Sequence, residues 1–464
     1  MAAVKHHRKQ AERRSSSSSA QERRVVTPAR LAAFEILKRV EEEGAFASVL
    51  LAGIDDEMSA VDRALCYELV LGVLRRQLWL DELITHYAAR AAERLDAPVR
   101  RALRLALYQL RFLSRIPARA VVNEAVNMAY VSRVRSAAPF INAVLRRAVK
   151  EPHYDPAQAI DDPLKRLSVE TSHPLWLIER WTRAFGHATA EDFARANNEP
   201  PPVAFRIVSA RAKGLDVLEE LRAEGGELTA SEIVPDGWRI KGASARLREL
   251  AAQGLIYVQD EASQLVGHAL GAQAGERVLD ACAAPGSKTT YIADRTEGAA
   301  LVVAGDLYEH RLRTLLESGA RQHALSAVAV AYDATAPLPF LAGSFDRVLV
   351  DAPCTGTGTL RRNPEIRWRI SASDIADLSA RQRAILSNAA KTVRSGGRLL
   401  YSTCSVEPEE DELVVASFLK ETDAFTQVSV AVPARFRAGS LSARTWPQRD
   451  GSDGFFVAAF ERRS

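Results

Sequence analysis

Cys282-Ala283-Ala284-Pro285-Gly286-Ser287-Lys288 is the stretch on which the reading of this chain turns. A short apolar run, Arg277-Val278-Leu279-Asp280, precedes it, and Thr289-Thr290-Tyr291-Ile292-Ala293 after it reads as the start of a helix. Strand, small-residue turn and helix start are the parts of a cradle for a nucleotide-like cofactor. Ala283, Ala284 and Gly286 keep side chains back, so the backbone can approach a ligand, and the helix start favours negative or hydrogen-bonding groups. Pro285 fixes one φ in the turn. Many α/β proteins carry such a turn, so it gains meaning only with two later stretches, Asp351-Ala352-Pro353-Cys354 and Ser402-Thr403-Cys404-Ser405.

Outward from this turn the rhythm is strand, loop, helix. Arg277 to Asp280, Leu301 to Asp306, Val328 to Ala331, Arg347 to Asp351 and Arg398 to Ser402 are short apolar runs. Helical stretches such as Ile375 to Val393 separate most of them. The alternation predicts a largely parallel, doubly wound α/β sheet, closed by a last strand within Gly454 to Phe460. Ligands of such sheets bind at the carboxyl ends of the strands.

Towards the N-terminus the pattern changes. Residues 27–150 read as all helix, opened by Thr27 as N-cap and Pro28 at the first helical position. Val99, Leu103, Ala106, Leu107, Leu110 and Leu113 form one stripe, with Arg100, Arg101, Arg104 and Arg111 away from its centre. Those arginines have two readings, a solvated face or a surface for RNA. Residues 168–255 mix a helix carrying Trp176 and Trp181 with strand-like runs at Val203 to Ile207, Trp238 to Ile240 and Leu255 to Val258, which predicts a small α+β insert. Residues 1–24, rich in Lys, Arg, His and Ser, read as a disordered basic tail without the apolar core of an export signal.

Composition bounds the rest. At 464 residues the chain is long enough for about three domains, and its formal charge of +4 is modest for that size. No apolar run approaches the ~20 residues of a membrane span. The four cysteines, Cys66, Cys282, Cys354 and Cys404, include no Cys-x-x-Cys pair and share no metal-ligand spacing with the histidines. A reducing cytoplasmic setting, with no membrane, no metal and no structural disulfide, is the expectation.

Candidate chemistry gathers at the strand ends. Asp306 ends the second strand twenty residues after Gly286, a spacing that suits a ribose diol. Asp333 follows the third strand, where it can hold a nucleoside base. Both also fit ordinary turn and cap roles. Asp351 and Cys354 end the fourth strand and Cys404 the fifth. A lone cysteine there is usually a small buried hydrophobe, but two thiols beside a carboxylate and a cofactor turn suit covalent chemistry on a pyrimidine. A thiolate added at C6 makes C5 nucleophilic towards an electrophilic methyl group; the C5 proton then leaves and the thiol is eliminated. Asp351 is placed to bond the N3/N4 edge of the base, and Lys288 adds positive charge.

Taken together, Cys282 to Thr289, Asp351-Ala352-Pro353-Cys354-Thr355-Gly356-Thr357-Gly358 and Ser402-Thr403-Cys404-Ser405 resemble the motifs of the Sun/RsmB family of 16S ribosomal RNA cytosine-C5 methyltransferases. Gln259-Asp260-Glu261-Ala262-Ser263-Gln264 resembles the segment that precedes the family's catalytic domain. Asn123-Glu124-Ala125-Val126 and Phe140 to Arg147 resemble its NusB-like RNA-binding domain. The resemblance spans nearly the whole chain and, after the basic tail over 1–24, implies a NusB-like helical domain over 25–152, a small α+β connecting domain over 165–258 and a Rossmann-like methyltransferase domain over 259–464. It implies S-adenosylmethionine as methyl donor, contacted by Cys282, Ala283, Ala284, Pro285, Gly286, Ser287 and Lys288, with Asp306, Asp333 and Asp351 lining the site. It also implies Cys404 as nucleophile and Cys354 as the group that helps release the product, a ranking that the chemistry of the two thiols alone leaves open. A monomer acting on ribosomal RNA is expected. The same reaction on tRNA, and a non-catalytic RNA-binding factor, are the rival readings. Ser287 stands where the family usually has a second Gly, and Asn363 where it more usually has His; the first is costly if that backbone needs φ > 0.

Overall fold

A computed structural model describes residues 26–54, 58–213, 215–324 and 327–464. The basic tail lies outside the described residues. The chain forms two compact units, one of residues 1–198 with Asn363–Trp368, the other of residues 199–362 and 369–464.

The first unit is helical. Its main helices are Pro28–Glu42, Ala60–Arg75, Gln77–Ala88, Ala97–Phe112, Ala118–Val131 and Ala138–Lys150, followed by Pro163–Thr171, Leu175–Phe185 and His187–Ala196. The stripe on Ala97–Phe112 faces the core as its spacing predicts: Val99, Leu103, Ala106 and Leu107 are all buried. The arginines beside it fit neither expected reading. Arg101 is 2% and Arg104 8% exposed. Arg104 grips Asp81 with two bonds of 2.7 and 2.6 Å. Arg101 pairs with Glu41 and Glu42, each at 2.9 Å, and lies over the Phe34 ring. Arg100 reaches Glu41 at 2.5 Å, and Arg111 bonds the Tyr87 hydroxyl. Their acidic partners lie on other helices, so these charges knit the bundle together. Thr27 precedes the first helix as expected but makes no side-chain cap bond; its amide and hydroxyl donate to Glu124 at 2.9 and 2.8 Å.

Six residues from far along the chain complete this unit. Within Asn363–Trp368, Glu365 accepts the Ala47 amide at 2.9 Å, and Arg367 is wholly buried. Its guanidinium donates to the Ser172 and Asn197 carbonyls at 3.1 and 3.2 Å and to Asn198 Oδ1 at 3.0 Å. Burial, helped by the charges of Arg75 and Arg76, lowers the Arg367 pKa to about 9. Asn363 accepts from Ser48 at 3.1 Å.

The second unit contains two sheets among its described residues. The smaller has the order β2-β3-β1-β4, all antiparallel, from β1 (Val203–Ile207), β2 (Glu227–Ala230), β3 (Gly237–Lys241) and β4 (Ile256–Val258). Helices Val217–Ala223 and Ser244–Ala252 pack on it through Phe205, Val217, Leu221, Ile240, Leu247 and Leu250. Arg206 of β1 is buried and donates to Thr290 Oγ1 at 3.0 Å and Gln322 at 2.7 Å, tying this sheet to the helices of the larger one.

The larger sheet is mixed. Its strands are β5 (Arg277–Asp280), β6 (Leu301–Asp306), β7 (Ala327–Ala331), β8 (Phe345–Asp351), β9 (Val393–Thr403), β10 (Phe425–Val428), β11 (Arg437–Ala438), β12 (Ser442–Arg444) and β13 (Phe456–Arg462). The order is β11-β12-β13-β9-β8-β5-β6-β7, with β10 on β13. Pairs among β5, β6, β7, β8 and β9 are parallel, as the strand–helix alternation predicts. The last strand, β13, runs antiparallel to β9. The inner parallel strands carry short apolar runs because helices cover both faces: Val278, Leu279, Val302, Val348, Leu349, Leu399 and Leu400 are all fully buried. No helix among the described residues is long and apolar enough to cross a membrane.

Candidate active site

Parallel pairing brings the ends of β5, β6, β7, β8 and β9 to one edge of the sheet, and every marked residue lies at or just beyond those ends. The turn after β5 is held by Ala283 N–H donating to Gly305 O at 2.7 Å, at the end of β6. Gly286 sits at φ +104, and a Cβ there would meet Leu315 Cγ at 2.6 Å. Only glycine fits that position. Ser287 carries no such strain, because it opens the helix Ser287–Arg295 and is not among the residues with positive φ.

Asp351 and Ser402 face each other across β8 and β9. The Ser402 hydroxyl donates to Asp351 Oδ1 at 2.7 Å, and Lys288 Nζ reaches Asp351 Oδ2 at 2.6 Å. The lysine is buried and its ammonium lies 5.4 Å from the centre of the Phe455 ring. Burial pulls the Lys288 pKa down, but the charge and hydrogen bond of Asp351, with smaller contributions from Cys404 and Asp280, outweigh it and the net shift is upward. Lys288 is therefore a fixed cation whose field reaches Cys404.

The two thiols meet. Cys354 Sγ and Cys404 Sγ are 3.3 Å apart, and neither is in a disulfide. Their surroundings differ. The Cys354 thiol is held well above its ordinary pKa by the hydrogen bond with Cys404, then by burial, then by the charges of Cys404 and Glu410. The loop behind Cys354 is seated by Gly358, whose amide donates to Cys404 O at 2.9 Å. A Cβ on Gly358 would stand 2.0 Å from Gly454 O, so the two loops close only with glycine there.

Cys282 stands apart from this pair. Burial pushes its thiol up, and the carboxylates of Asp280, Asp351 and Asp306 push it further. Asp280 is wholly buried; it accepts from Thr289 Oγ1 at 2.7 Å, and its Oδ1 finds no partner among the described residues. Burial raises its pKa to about 7, despite the Thr289 hydrogen bond. Asp306 is buried at the end of β6, accepting the Tyr308 amide at 3.1 Å with Arg311 at 3.3 Å. Asp333 is exposed and accepts the amide and hydroxyl of Thr335 at 2.9 and 2.7 Å, which lowers its pKa.

Three contributors escaped the sequence reading: Asp280, Ser402 and Glu410. Asp280 had a visible signal, since it closes β5 as Asp306 closes β6 and Asp351 closes β8. Ser402 had a weaker one, its place two residues before Cys404. Glu410 is buried among Thr355, Ser405 and Gln382 and had none.

Comparison with known proteins gives the family. The profile described as 16S rRNA methyltransferase RsmB/F matches residues 267–461, that of the NusB family residues 27–150, and that of the RsmF/B-like ferredoxin-like domain residues 173–246. The Bacillus subtilis protein named probable ribosomal RNA small subunit methyltransferase B is 34% identical over 447 residues, which cover 94% of this chain and 99% of that protein. The chain belongs to the ribosomal RNA small subunit methyltransferase B family. The Pseudomonas putida ribosomal RNA small subunit methyltransferase B is 36% identical over 433 residues, 92% of this chain and 97% of its own length. The crystal structure of PH0851 superposes with a TM-score of 0.80 at 28% identity, covering 94% of this chain and all of that one. Residues 27–150 of the helical unit are thus the family's NusB part, residues 173–246, with β1, β2 and β3, its ferredoxin-like part, and residues 267–461, with the mixed sheet, its methyltransferase part.

Proposed function

We propose that this methyltransferase uses S-adenosylmethionine to methylate C5 of a cytidine in 16S ribosomal RNA, with Cys404 as nucleophile. The contact of 3.3 Å between Cys404 and Cys354, beside the Asp351–Lys288 pair, carries the reading.

The residues fit the cofactor. Its ammonium and sulfonium are cationic, and Asp280, Asp306 and Asp351 all bear on the Cys282 turn. The orphaned Oδ1 of Asp280 is an acceptor waiting for a donor. Residues Cys282 to Lys288 with Asp306, Asp333 and Asp351 would hold it, and S-adenosylmethionine supplies an electrophilic methyl group there.

The protein's own groups do the rest. Lys288 puts a fixed positive charge near Cys404, and a thiolate is the form of a cysteine that attacks. That thiolate adds to C6, and the pair of electrons pushed to C5 makes the carbon nucleophilic. Asp351, already accepting from Ser402 and Lys288, offers its carboxylate to the N4 amino group. After C5 is alkylated, its proton passes to water, the C5–H electrons form the C5=C6 bond, and the S–C6 bond breaks with its electrons returning to Cys404. Cys354 is kept protonated by its surroundings, which suits it to assist this release and not to compete as nucleophile. The base must be accessible, because C6 is shielded inside a stacked helix. The NusB-like helices add RNA contacts, largely to phosphate.

Two measurements test this. Bisulfite mapping of rRNA and tRNA, from cells with and without the protein, should show one cytidine losing protection in 16S rRNA and none in tRNA. Cys354→Ala should accumulate a covalent protein–RNA species on denaturing gels, while Cys404→Ala forms none. The opposite pattern would exchange the two roles.

A further inference from the structure

Glu410 has no part in the chemistry above, yet it is fully buried between the two thiol-bearing loops. Its Oε1 accepts the Thr355 amide and Gln382 Nε2, both at 2.9 Å. Its Oε2 accepts the hydroxyls of Thr355 and Ser405, both at 2.5 Å. Thr355 directly follows Cys354, and Ser405 directly follows Cys404. Gln382, from the helix Ala372–Thr392, also donates to Pro353 O at 3.0 Å, so the residues on both sides of Cys354 are tied. The Glu410 backbone carbonyl in turn accepts the Tyr401 hydroxyl.

A buried carboxylate with no ion-pair partner among the described residues is a poor way to stabilise a fold. Burial raises its pKa, and four hydrogen bonds work against that rise. An apolar side chain in its place would leave the Thr355 amide, Gln382 Nε2 and the Thr355 and Ser405 hydroxyls without this acceptor, at a cost for each donor left unpaired. What an apolar residue cannot do is fix two loops fifty positions apart through directional bonds to both.

We propose that Glu410 is a positioning residue that holds Cys354 and Cys404 at their working separation. The inference rests on the two-thiol reading above. Cys404 rides on the end of β9, whereas Cys354 lies in a loop, so the clamp chiefly decides where Cys354 stands. Misplacing a reacting group by about 1 Å can cost on the order of a hundredfold in rate.

The test uses the full chain and reads the sulfur–sulfur distance apart from methyl transfer. Diamide accepts two electrons and two protons from the two thiols, becoming the hydrazine while the S–S bond forms. The rate is followed by mass spectrometry of unreduced peptides. The wild type should form the Cys354–Cys404 disulfide. Glu410→Ala should slow that step at least ~10-fold and lower kcat about a hundredfold, with KM for RNA within about twofold. Glu410→Gln should stay within about threefold of wild type in both. Its carbonyl still accepts from Thr355 and Gln382, and its amide donates to hydroxyls that can equally accept. Wild-type disulfide rate and kcat in Glu410→Ala would overturn the proposal, and so would a Glu410→Gln variant as impaired as Glu410→Ala. Should Glu410→Ala fail to fold by circular dichroism, Gln382→Ala decides: a slowed disulfide step supports the clamp, an unchanged one overturns it. If the wild type methylates no RNA, the functional reading falls, while the disulfide rates still report on the clamp.

Discussion

Replacing Gly286 with alanine puts two separable strains into one turn. The first is backbone: Gly286 has φ +104 and ψ 5, and an L residue held at positive φ costs about 1–2 kcal/mol. The second is steric. The new methyl would stand 2.6 Å from Leu315 Cγ and 3.1 Å from Leu315 Cβ. Leu315 is fully buried, so it has no free rotamer to escape into. Overpacking of this kind costs about 1–3 kcal/mol, for a sum of about 2–5 kcal/mol. The turn escapes that sum by leaving the shape proposed above to hold the cofactor, and on that proposal the apparent Kd rises by the reciprocal of the competent fraction. At about 1.4 kcal/mol per tenfold, the loss is about 30-fold to a few thousandfold. Gly298→Ala is the control, because Gly298 has φ +73 with no atom within 4 Å of its added Cβ. It carries the backbone strain without the collision. Calorimetric titration of both variants with S-adenosylmethionine, beside denaturant midpoints, is the assay. If Gly286→Ala binds within threefold of Gly298→Ala and unfolds at the same midpoint, the reasoning is refuted.

Two further outcomes are expected. The folded-state pKa of Asp280, about 7, lies above its ordinary 3.8, so the folded cofactor-free protein holds this proton more tightly than the unfolded chain. The stability this lends is complete below about pH 4 and is lost as pH rises through 7, a total of about 4 kcal/mol. Asp280→Asn should flatten that part of the denaturation profile; an unchanged slope between pH 4 and 7 would refute the assignment. Arg104→Met strands Asp81, which is 14% exposed at its side chain, without the two bonds it now accepts, and should cost about 3–5 kcal/mol in the urea unfolding of the helical unit.

Much of the catalytic part is legible in the sequence because its strands are short apolar runs and its chemistry sits just after them. Asp306, Asp351, Cys354 and Cys404 mark strand ends directly, and parallel pairing does the rest. The arginines of Ala97–Phe112 were not legible. Their spacing places them beside the apolar stripe, but Glu41, Glu42 and Asp81, which turn them from surface charges into buried pairs, lie on other helices 23 to 60 positions away. Glu410 is hidden for a similar reason: its four donors come from Thr355, Ser405 and Gln382, and no local pattern announces a carboxylate that bridges loops. The strain anticipated at Ser287 does not arise, because Gly286 alone takes the left-handed turn and the helix begins one residue later.

The residence of Asn363–Trp368 in the helical unit bears on how this protein can be cut and recombined. A shortened chain ending at Asn198 would carry every long helix of that unit yet arrive with a socket and no plug. The carbonyls of Ser172 and Asn197 that now accept from Arg367 would face a void or admitted water. Grafting the helical unit of a relative onto this chain therefore requires exchanging the distant hexapeptide Asn363–Trp368 along with it.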